Sequence, residues 1–169
     1  VLMKNVLEFL EKSTLKYPDK IAARDPEVAD TFMELRDNAM RTGSFFLKYN
    51  CVRKPVAVFM EKSVRTLELF MGIVYSGNFY VLIDPNFPVE RINRILEVLQ
   101  PVCVVTLKKF TDKLGETLYR GSVVIEDEAD AEIDETGLNK VRVDMTETDP
   151  LYGIFTSGST GVPKCVLVG

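Results

Sequence analysis

The sequence has no histidine among its 169 residues. Within these residues, that absence excludes a Ser-His-Asp triad and a histidine-ligated metal site, since both depend on an imidazole ring. Cysteine is scarce as well, because Cys51, Cys103 and Cys165 are odd in number and far apart in the chain. Such spacing is typical neither of a CxxC metal half-site nor of a disulfide framework. We therefore expect reduced thiols and a cytoplasmic protein.

Long apolar runs and internal repeats are also missing. No stretch approaches the ~18 apolar residues that a membrane-spanning helix needs. The N-terminal segment VLMKNVLEFLEK is amphipathic and carries acidic residues, unlike a secretory signal. The content of 46% hydrophobic and 27% charged residues is typical of a globular chain. The sequence therefore predicts a folded protein with no membrane partner.

Negative charge is concentrated in one segment of a chain whose formal net charge is -4. The carboxylates of this segment are Glu126, Asp127, Glu128, Asp130, Glu132, Asp134 and Glu135. The remainder is only mildly charged and gives no electrostatic argument for nucleic-acid binding. Because the segment lacks a fixed ligand spacing, we interpret it as a solvated, partly mobile acidic loop, with no metal site.

Short apolar runs alternate with helical patterns along the chain. Amphipathic spacing predicts helices over residues 5–17, 31–49, 63–77, 88–100 and, more weakly, 108–119. Valine-rich and other apolar runs predict strands at residues 21–23, 56–59, 80–83, 102–105, 122–125, 151–155 and 166–168. This alternation favours an α/β fold with a mainly parallel sheet covered by helices.

Local patterns predict where several elements begin and end. Thr31 and Glu34 have the S/T-x-x-E spacing of a capping box, in which each side chain satisfies a free amide at a helix start. Ser63 can cap the next helix, and Gly77 suits the left-handed position that ends it. Asp84 belongs to a predicted turn between a strand and a helix.

The segment TSGSTGVPK at residues 156–164 combines hydroxyl side chains, glycines, a proline and a lysine. It is not a Walker loop, because that pattern needs a glycine before its lysine and a hydroxyl after it. Here Pro163 and Cys165 flank Lys164. Starting the pattern at Gly153 instead puts Ser159 where the lysine is required, so a P-loop kinase or GTPase is not indicated.

The same segment still suits a phosphate group. Glycines let the backbone turn its amides toward one point, hydroxyls donate hydrogen bonds, and a lysine adds charge. The apolar run before the segment and VLV after it predict a strand, a loop and a strand. A mobile Gly/Ser turn has the same composition, and composition alone leaves both interpretations open.

Three sequence blocks occur in order: TFMEL at 31–35, SGNFYVLIDPNFPVERI at 76–92 and LYGIFTSGSTGVPK at 151–164. They resemble signature blocks of the adenylate-forming, or AMP-binding, enzymes. The resemblance is greatest to amino-acid adenylation domains of nonribosomal peptide synthetases and to D-alanine:carrier-protein ligases. With its spacing it covers nearly the whole chain, and the second and third blocks are highly specific.

The resemblance implies an enzyme that uses ATP and Mg²⁺ to activate a carboxylic acid, here an amino acid, as an acyl adenylate. Pyrophosphate would leave, and the acyl group would pass to the phosphopantetheine thiol of a carrier protein or domain. The loop would hold the β- and γ-phosphates during attack on the α-phosphorus, with Thr156 as the strongest candidate. Carried over onto this sequence, the phosphate-binding residues are Thr156, Ser157, Gly158, Ser159, Thr160, Gly161 and Lys164.

The chain departs from the family pattern at three positions. Cys165 stands where the family usually has glycine, and Asn78 and Leu82 replace the usual alanine and proline. We interpret Cys165 as a small packing residue, because nothing in the sequence is placed to lower the pKa of its thiol. The changes in the second block are expected to affect packing more than chemistry.

The resemblance also implies that residues 1–169 are the N-terminal part of the large adenylation domain. In the family, the rest of that domain and a C-terminal lid domain supply the adenine, ribose, magnesium and acid sites and a mobile lysine. We therefore expect this part alone to be inactive in adenylation. Two other interpretations stay open: a non-catalytic binding module of the same fold, and an acyl-CoA synthetase. The identity of the acid is not encoded in these residues.

Overall fold

The computed structural model describes residues 5–156 and 163–169. Within those ranges the helices are α1 (Val6–Lys16), α2 (Phe32–Phe46), α3 (Val64–Tyr75), α4 (Val89–Leu99), α5 (Thr111–Gly115) and α6 (Glu135–Val143). The strands are β1 (Ile21–Arg24), β2 (Ala29–Thr31), β3 (Pro55–Phe59), β4 (Phe79–Ile83), β5 (Cys103–Thr106), β6 (Ser122–Ile125), β7 (Tyr152–Thr156) and β8 (Lys164–Val168). No described helix has the length and apolar character needed to span a bilayer.

The chain divides into two compact units. The sheet unit comprises Arg53–Glu61, Asn78–Ala129 and Pro150–Gly169, and the helical unit comprises the residues up to Val52, Lys62–Gly77 and Asp130–Asp149. The sheet unit contains six strands in the order β6-β5-β3-β4-β7-β8. All neighbours in this sheet are parallel except β7 and β8, which form an antiparallel pair. The predicted α/β fold with a mainly parallel sheet is confirmed.

The core of the sheet unit lies between the sheet and α4. The apolar residues of α4, Ile92, Ile95, Leu96 and Leu99, pack against a cluster from the strands that includes Phe59, Val81 and Val104. In β3 the consecutive residues 56–59 are all buried, as expected for a strand covered on both faces. Asn78 is buried as well, and its Oδ1 accepts a hydrogen bond from the Lys54 amide at 3.1 Å.

The helical unit is built around the close pair α2 and α3. A Cβ added to Gly72 would lie 2.5 Å from Thr42 Cβ, so the two helices approach too closely for a larger residue there. Both predicted helix starts are confirmed, with a capping box at Thr31–Glu34 and another at Ser63–Thr66. Gly77 adopts φ +79°, the left-handed conformation predicted for the end of α3.

The acidic segment differs from its predicted form. Instead of a loop throughout, residues Glu126–Glu128 form a 3-10 helix, Ala129 is fully buried, and α6 begins at Glu135. Six of the segment's seven carboxylates are exposed, in agreement with the predicted solvation. The segment ends in a helix because the carboxylate of Asp134 caps α6, accepting a hydrogen bond from the Gly137 amide at 2.8 Å. Leu138 then gives α6 a buried anchor.

Two other elements differ from their predictions. Strand β2 had no predicted counterpart, and it pairs with β1 as an antiparallel ribbon. The predicted helix over 108–119 is shorter, because a 3-10 helix at Lys108–Phe110 leads into the five-residue α5. The chain then turns after Gly115 before entering β6.

Candidate functional site

The candidate site is the hairpin formed by β7 and β8. The two predicted strands are present and pair antiparallel, whereas residues 157–162 between them lie outside the described residues. Of the predicted phosphate-binding residues, Ser157, Gly158, Ser159, Thr160 and Gly161 lie outside the described residues. The structure does describe the two ends of the segment, Thr156 and Lys164.

Thr156 and Lys164 are directly opposite each other in the hairpin. They form the last register pair of the antiparallel ladder, and both are exposed. Directly opposed residues project from the same face of a sheet, with Cβ atoms about 4.5–5.5 Å apart. The arrangement therefore brings a hydroxyl donor and a cationic side chain together at the point where the segment leaves and re-enters the hairpin.

The segment begins at the carboxyl end of a strand that runs parallel to its neighbour β4. In open parallel sheets, ligands bind outside the carboxyl ends of the strands, where several connecting loops meet. The loop after β4 lies at the same edge. There Asp84 Oδ1 accepts hydrogen bonds from the Asn86 amide at 2.8 Å and from Asn86 Nδ2 at 3.0 Å. This agrees with the interpretation of Asp84 as a turn residue.

The opposite face of the hairpin anchors it to the core. Phe155 and Cys165 are opposed in the ladder, and both pack against the apolar cluster of the sheet unit. Gly153 leaves room for this packing, because an added Cβ would lie 2.8 Å from Cys165 Sγ and 2.9 Å from Val81 Cγ2. Sequence reasoning missed this role of Gly153, since the atoms it must avoid come from two other strands.

The thiol of Cys165 is a packing group. Burial raises the pKa of the Cys165 thiol, which disfavours the nucleophilic thiolate form. The side chain is half-buried at the second position of β8. These observations agree with the interpretation of Cys165 as a small packing residue.

Among the described residues, the hairpin joins the rest of the sheet through one register pair, Tyr80 with Tyr152. The two rings stack with centroids 5.8 Å apart and an interplanar angle of 22°. Burial raises the pKa of Tyr80, and the charge interaction with Tyr152 makes a smaller contribution in the same direction. Because Tyr80 belongs to the second sequence block and Tyr152 to the third, this pair brings two of the three blocks into contact.

The comparison with known proteins addresses the identity of these blocks. The sequence profile described as "AMP-binding enzyme" matches residues 10–169, nearly all of the chain. The chain belongs to the AMP-binding enzyme family. The adenylate-forming family predicted from the three sequence blocks is thereby confirmed, and the matched range includes the whole β7–β8 hairpin.

Two curated proteins illustrate the similarity. Tyrocidine synthase 1 of Brevibacillus parabrevis is 30% identical over 162 residues, which are 95% of this chain and 15% of the synthase. The D-alanine--D-alanyl carrier protein ligase of Lacticaseibacillus paracasei is 24% identical over 168 residues, which are 99% of this chain and 32% of the ligase. The chain thus spans a minor part of each relative.

A solved structure of the family has a similar fold. The nonribosomal peptide synthetase FmoA3, in its AMPPNP-bound form, matches with a TM-score of 0.74 and 25% sequence identity. The match covers 96% of this chain and 17% of the FmoA3 chain. FmoA3 therefore supplies an example of a nucleotide-bound relative with this α/β fold.

Proposed function

We propose that this chain is the phosphate-binding part of an enzyme that activates a carboxylic acid as an acyl adenylate by consuming ATP. The observation that carries the proposal is the opposition of Thr156 and Lys164 at the carboxyl end of β7. These residues stand at the two ends of a segment rich in hydroxyls and glycines. Membership of the AMP-binding family supports the same activity.

The proposed chemistry is a displacement at the α-phosphorus of ATP. A carboxylate oxygen of the acid forms a bond to that phosphorus, and the bond to the oxygen bridging the α- and β-phosphates breaks. Negative charge then increases on the departing pyrophosphate. The Lys164 ammonium stabilises this charge, and the Thr156 hydroxyl donates a hydrogen bond to a phosphate oxygen.

We include Mg²⁺ in the proposal only because the resemblance to the AMP-binding family implies it. Within the described residues, no three acidic or thiol side chains converge as a set of metal ligands. The hydroxyl and ammonium groups of the hairpin together suit a phosphate anion, and the ammonium repels a divalent cation. We therefore assign the described residues to phosphate contact and derive no step through the metal.

The name of one relative, the D-alanine--D-alanyl carrier protein ligase, supports an amino-acid substrate and a carrier partner. The name of the ligase specifies D-alanine, which supports an amino acid as the substrate of the proposed enzyme. The ligase's name also specifies a carrier protein, which supports transfer of the acyl group to a phosphopantetheine thiol. The interpretation of residues 1–169 as part of a larger adenylation domain belongs to this proposal, and so does the cytoplasmic location.

Amino-acid-dependent ATP–pyrophosphate exchange by the longer enzyme tests the loop. Thr156→Val keeps the shape and strand preference of the side chain but removes its hydroxyl. A hydrogen bond to a charged group contributes about 1.5–3 kcal/mol, so we expect exchange to fall about tenfold to a hundredfold. Lys164→Ala should cause a loss at least as large, because a full charge is removed.

Lys109→Ala is the matched control for the loss of charge. Lys109 follows β5 at the same edge of the sheet and forms an exposed ion pair with Glu61, a type of pair that contributes little. Its removal should leave exchange within about twofold of the original rate, a difference that corresponds to less than 1 kcal/mol.

Unchanged exchange in Thr156→Val would refute the loop assignment. Robust exchange by the 169-residue chain alone would refute the claim that it is only part of the adenylating enzyme.

A further inference from the structure

The helical unit contains a buried carboxyl group that plays no part in the proposed reaction. Asp30 lies in β2 with 5% of its surface exposed. Its Oδ2 has no hydrogen-bond partner among the described residues. A buried carboxylate without a donor is strongly unfavourable, so its oxygen needs a proton, an ion or a bound group.

A second buried acid, Glu68 of α3, lies beside Asp30 and has 6% of its surface exposed. Glu68 already has donors on both oxygens. Asn38 Nδ2 donates to its Oε1 at 2.6 Å, and Arg65 Nη1 donates to its Oε2 at 2.9 Å. Both oxygens of Glu68 therefore already accept hydrogen bonds, one from an amide and one from a guanidinium.

The surroundings of Asp30 are less favourable to a carboxylate. Strand β1 places the neutral Ala23 opposite it in the ladder. From α2 it faces Glu34 and Asn38, and from α3 it faces Glu68, whose charge Arg65 partly neutralises. Burial raises the pKa of Asp30 to about 7, and the neighbouring carboxyl groups of Glu68 and Glu34 act in the same direction. The side chain of Asn38 acts against this rise.

We propose that Asp30 and Glu68 form a buried acid–carboxylate pair that holds one proton between them. The proton is bonded to Asp30 and donated to Glu68, which remains ionised through Asn38 and Arg65. This assignment gives the unpartnered Asp30 oxygen a hydrogen bond. It makes the helical unit bind a proton as it folds.

The sign of the resulting pH dependence follows from the two states of Asp30. In the unfolded chain Asp30 titrates near its ordinary pKa of 3.8, whereas in the folded chain its pKa is about 7. The stabilisation is fully present below the unfolded value and is lost as the pH rises through 7. The Asp30–Glu68 pair should therefore make the folding equilibrium constant on the order of tenfold to a hundredfold larger at pH 5 than at pH 8.

Denaturant unfolding of the full 169-residue chain at pH 5 and pH 8 tests the pair. In Asp30→Asn, the side-chain amide can donate to Glu68 at every pH, so the variant mimics the protonated acid. We expect the ratio of folding constants between the two pH values to shrink by at least tenfold, mainly through greater stability at pH 8. Asp37→Asn is the control, because Asp37 is a more exposed acid of α2 paired with Arg36. It should keep the original ratio.

An unchanged pH ratio in Asp30→Asn would overturn the proposal. A second measurement decides the question if that variant does not fold. Carboxyl ¹³C NMR of the original chain reports the titration of Asp30 directly. A midpoint near 7 supports the shared proton, whereas a midpoint below about 4.5, close to an ordinary aspartate, refutes it.

Discussion

Gly153→Ala is expected to destabilise the sheet unit because β7 has no room for a methyl group at this position. The alanine Cβ would lie 2.8 Å from Cys165 Sγ and 2.9 Å from Val81 Cγ2. Carbon and sulfur atoms cannot remain at these distances. Val81 is only 1% exposed and is held by the core, so relief requires β7 or β8 to shift.

The size of the effect follows from two opposing contributions. Inserting a methyl group into a packed core costs about 1–3 kcal/mol. Replacing glycine with alanine also lowers the conformational entropy of the unfolded chain, which stabilises the folded state by about 0.4–1 kcal/mol. We therefore expect the free energy of unfolding to fall by about 1–2 kcal/mol.

Urea unfolding followed by circular dichroism measures this change. Gly115→Ala is the matched control, because an added Cβ at Gly115 meets nothing within 4 Å. That variant should be unchanged or more stable by less than about 1 kcal/mol. The comparison separates the steric effect at Gly153 from the general effect of replacing glycine.

A double-mutant cycle identifies the atom responsible. Cys165→Ala removes the sulfur that the new methyl group would meet. Cys165→Ala should therefore lower the free energy of unfolding less in the Gly153→Ala background than in the original chain. We expect a coupling energy of at least about 0.5 kcal/mol. Gly153→Ala with unaltered stability, or a cycle with no coupling, would contradict this account of the hairpin's packing.

Two further predictions concern the start of α3 and the thiol of β8. Ser63→Ala removes the side chain that accepts a hydrogen bond from the Thr66 amide at 3.1 Å, so the free energy of unfolding should fall by about 1 kcal/mol; no measurable loss would show that the cap is dispensable. Because burial raises the pKa of the Cys165 thiol, iodoacetamide at pH 8 should alkylate Cys165 more slowly in the folded chain than in urea. Peptide-resolved mass spectrometry measures both rates, and faster reaction in the folded chain would contradict the packing role.

Much of the fold could be predicted because the decisive interactions are local. The Thr31–Glu34 capping box joins residues three positions apart, and the end of α3 depends on the backbone freedom of Gly77 itself. Apolar runs such as residues 56–59 identify buried strands without knowledge of their neighbours. The hairpin prediction also used local information, since a short polar segment separates its two apolar runs.

The elements that escaped prediction depend on distant partners. Strand β2 is three residues long, and its Asp30 looks like a solvent-exposed acid until Glu68 of α3 lies beside it. Helix α6 contains a glycine and follows an acidic run, so its pattern is weak. Its start is fixed partly by the Asp134 amide, which donates to Ser44 Oγ of α2 at 2.9 Å.

The candidate site could be predicted only in part, for the same reason. Residue types and spacing indicated an anion-binding segment, and the sequence blocks indicated its family. The opposition of Thr156 and Lys164 depends on the register of the hairpin, which follows from the strands on either side. The need for glycine at position 153 depends on Val81, which no local pattern connects to it.

The single register pair between Tyr80 and Tyr152 has a consequence for the order of folding. Strands β7 and β8 are close in sequence, so their ladder closes a short loop at low entropic cost. Docking of β7 beside β4 closes a much longer loop and has one register pair with which to begin. We expect the hairpin to form early and dock late, so that Thr156 and Lys164 meet before they reach the edge of the parallel sheet.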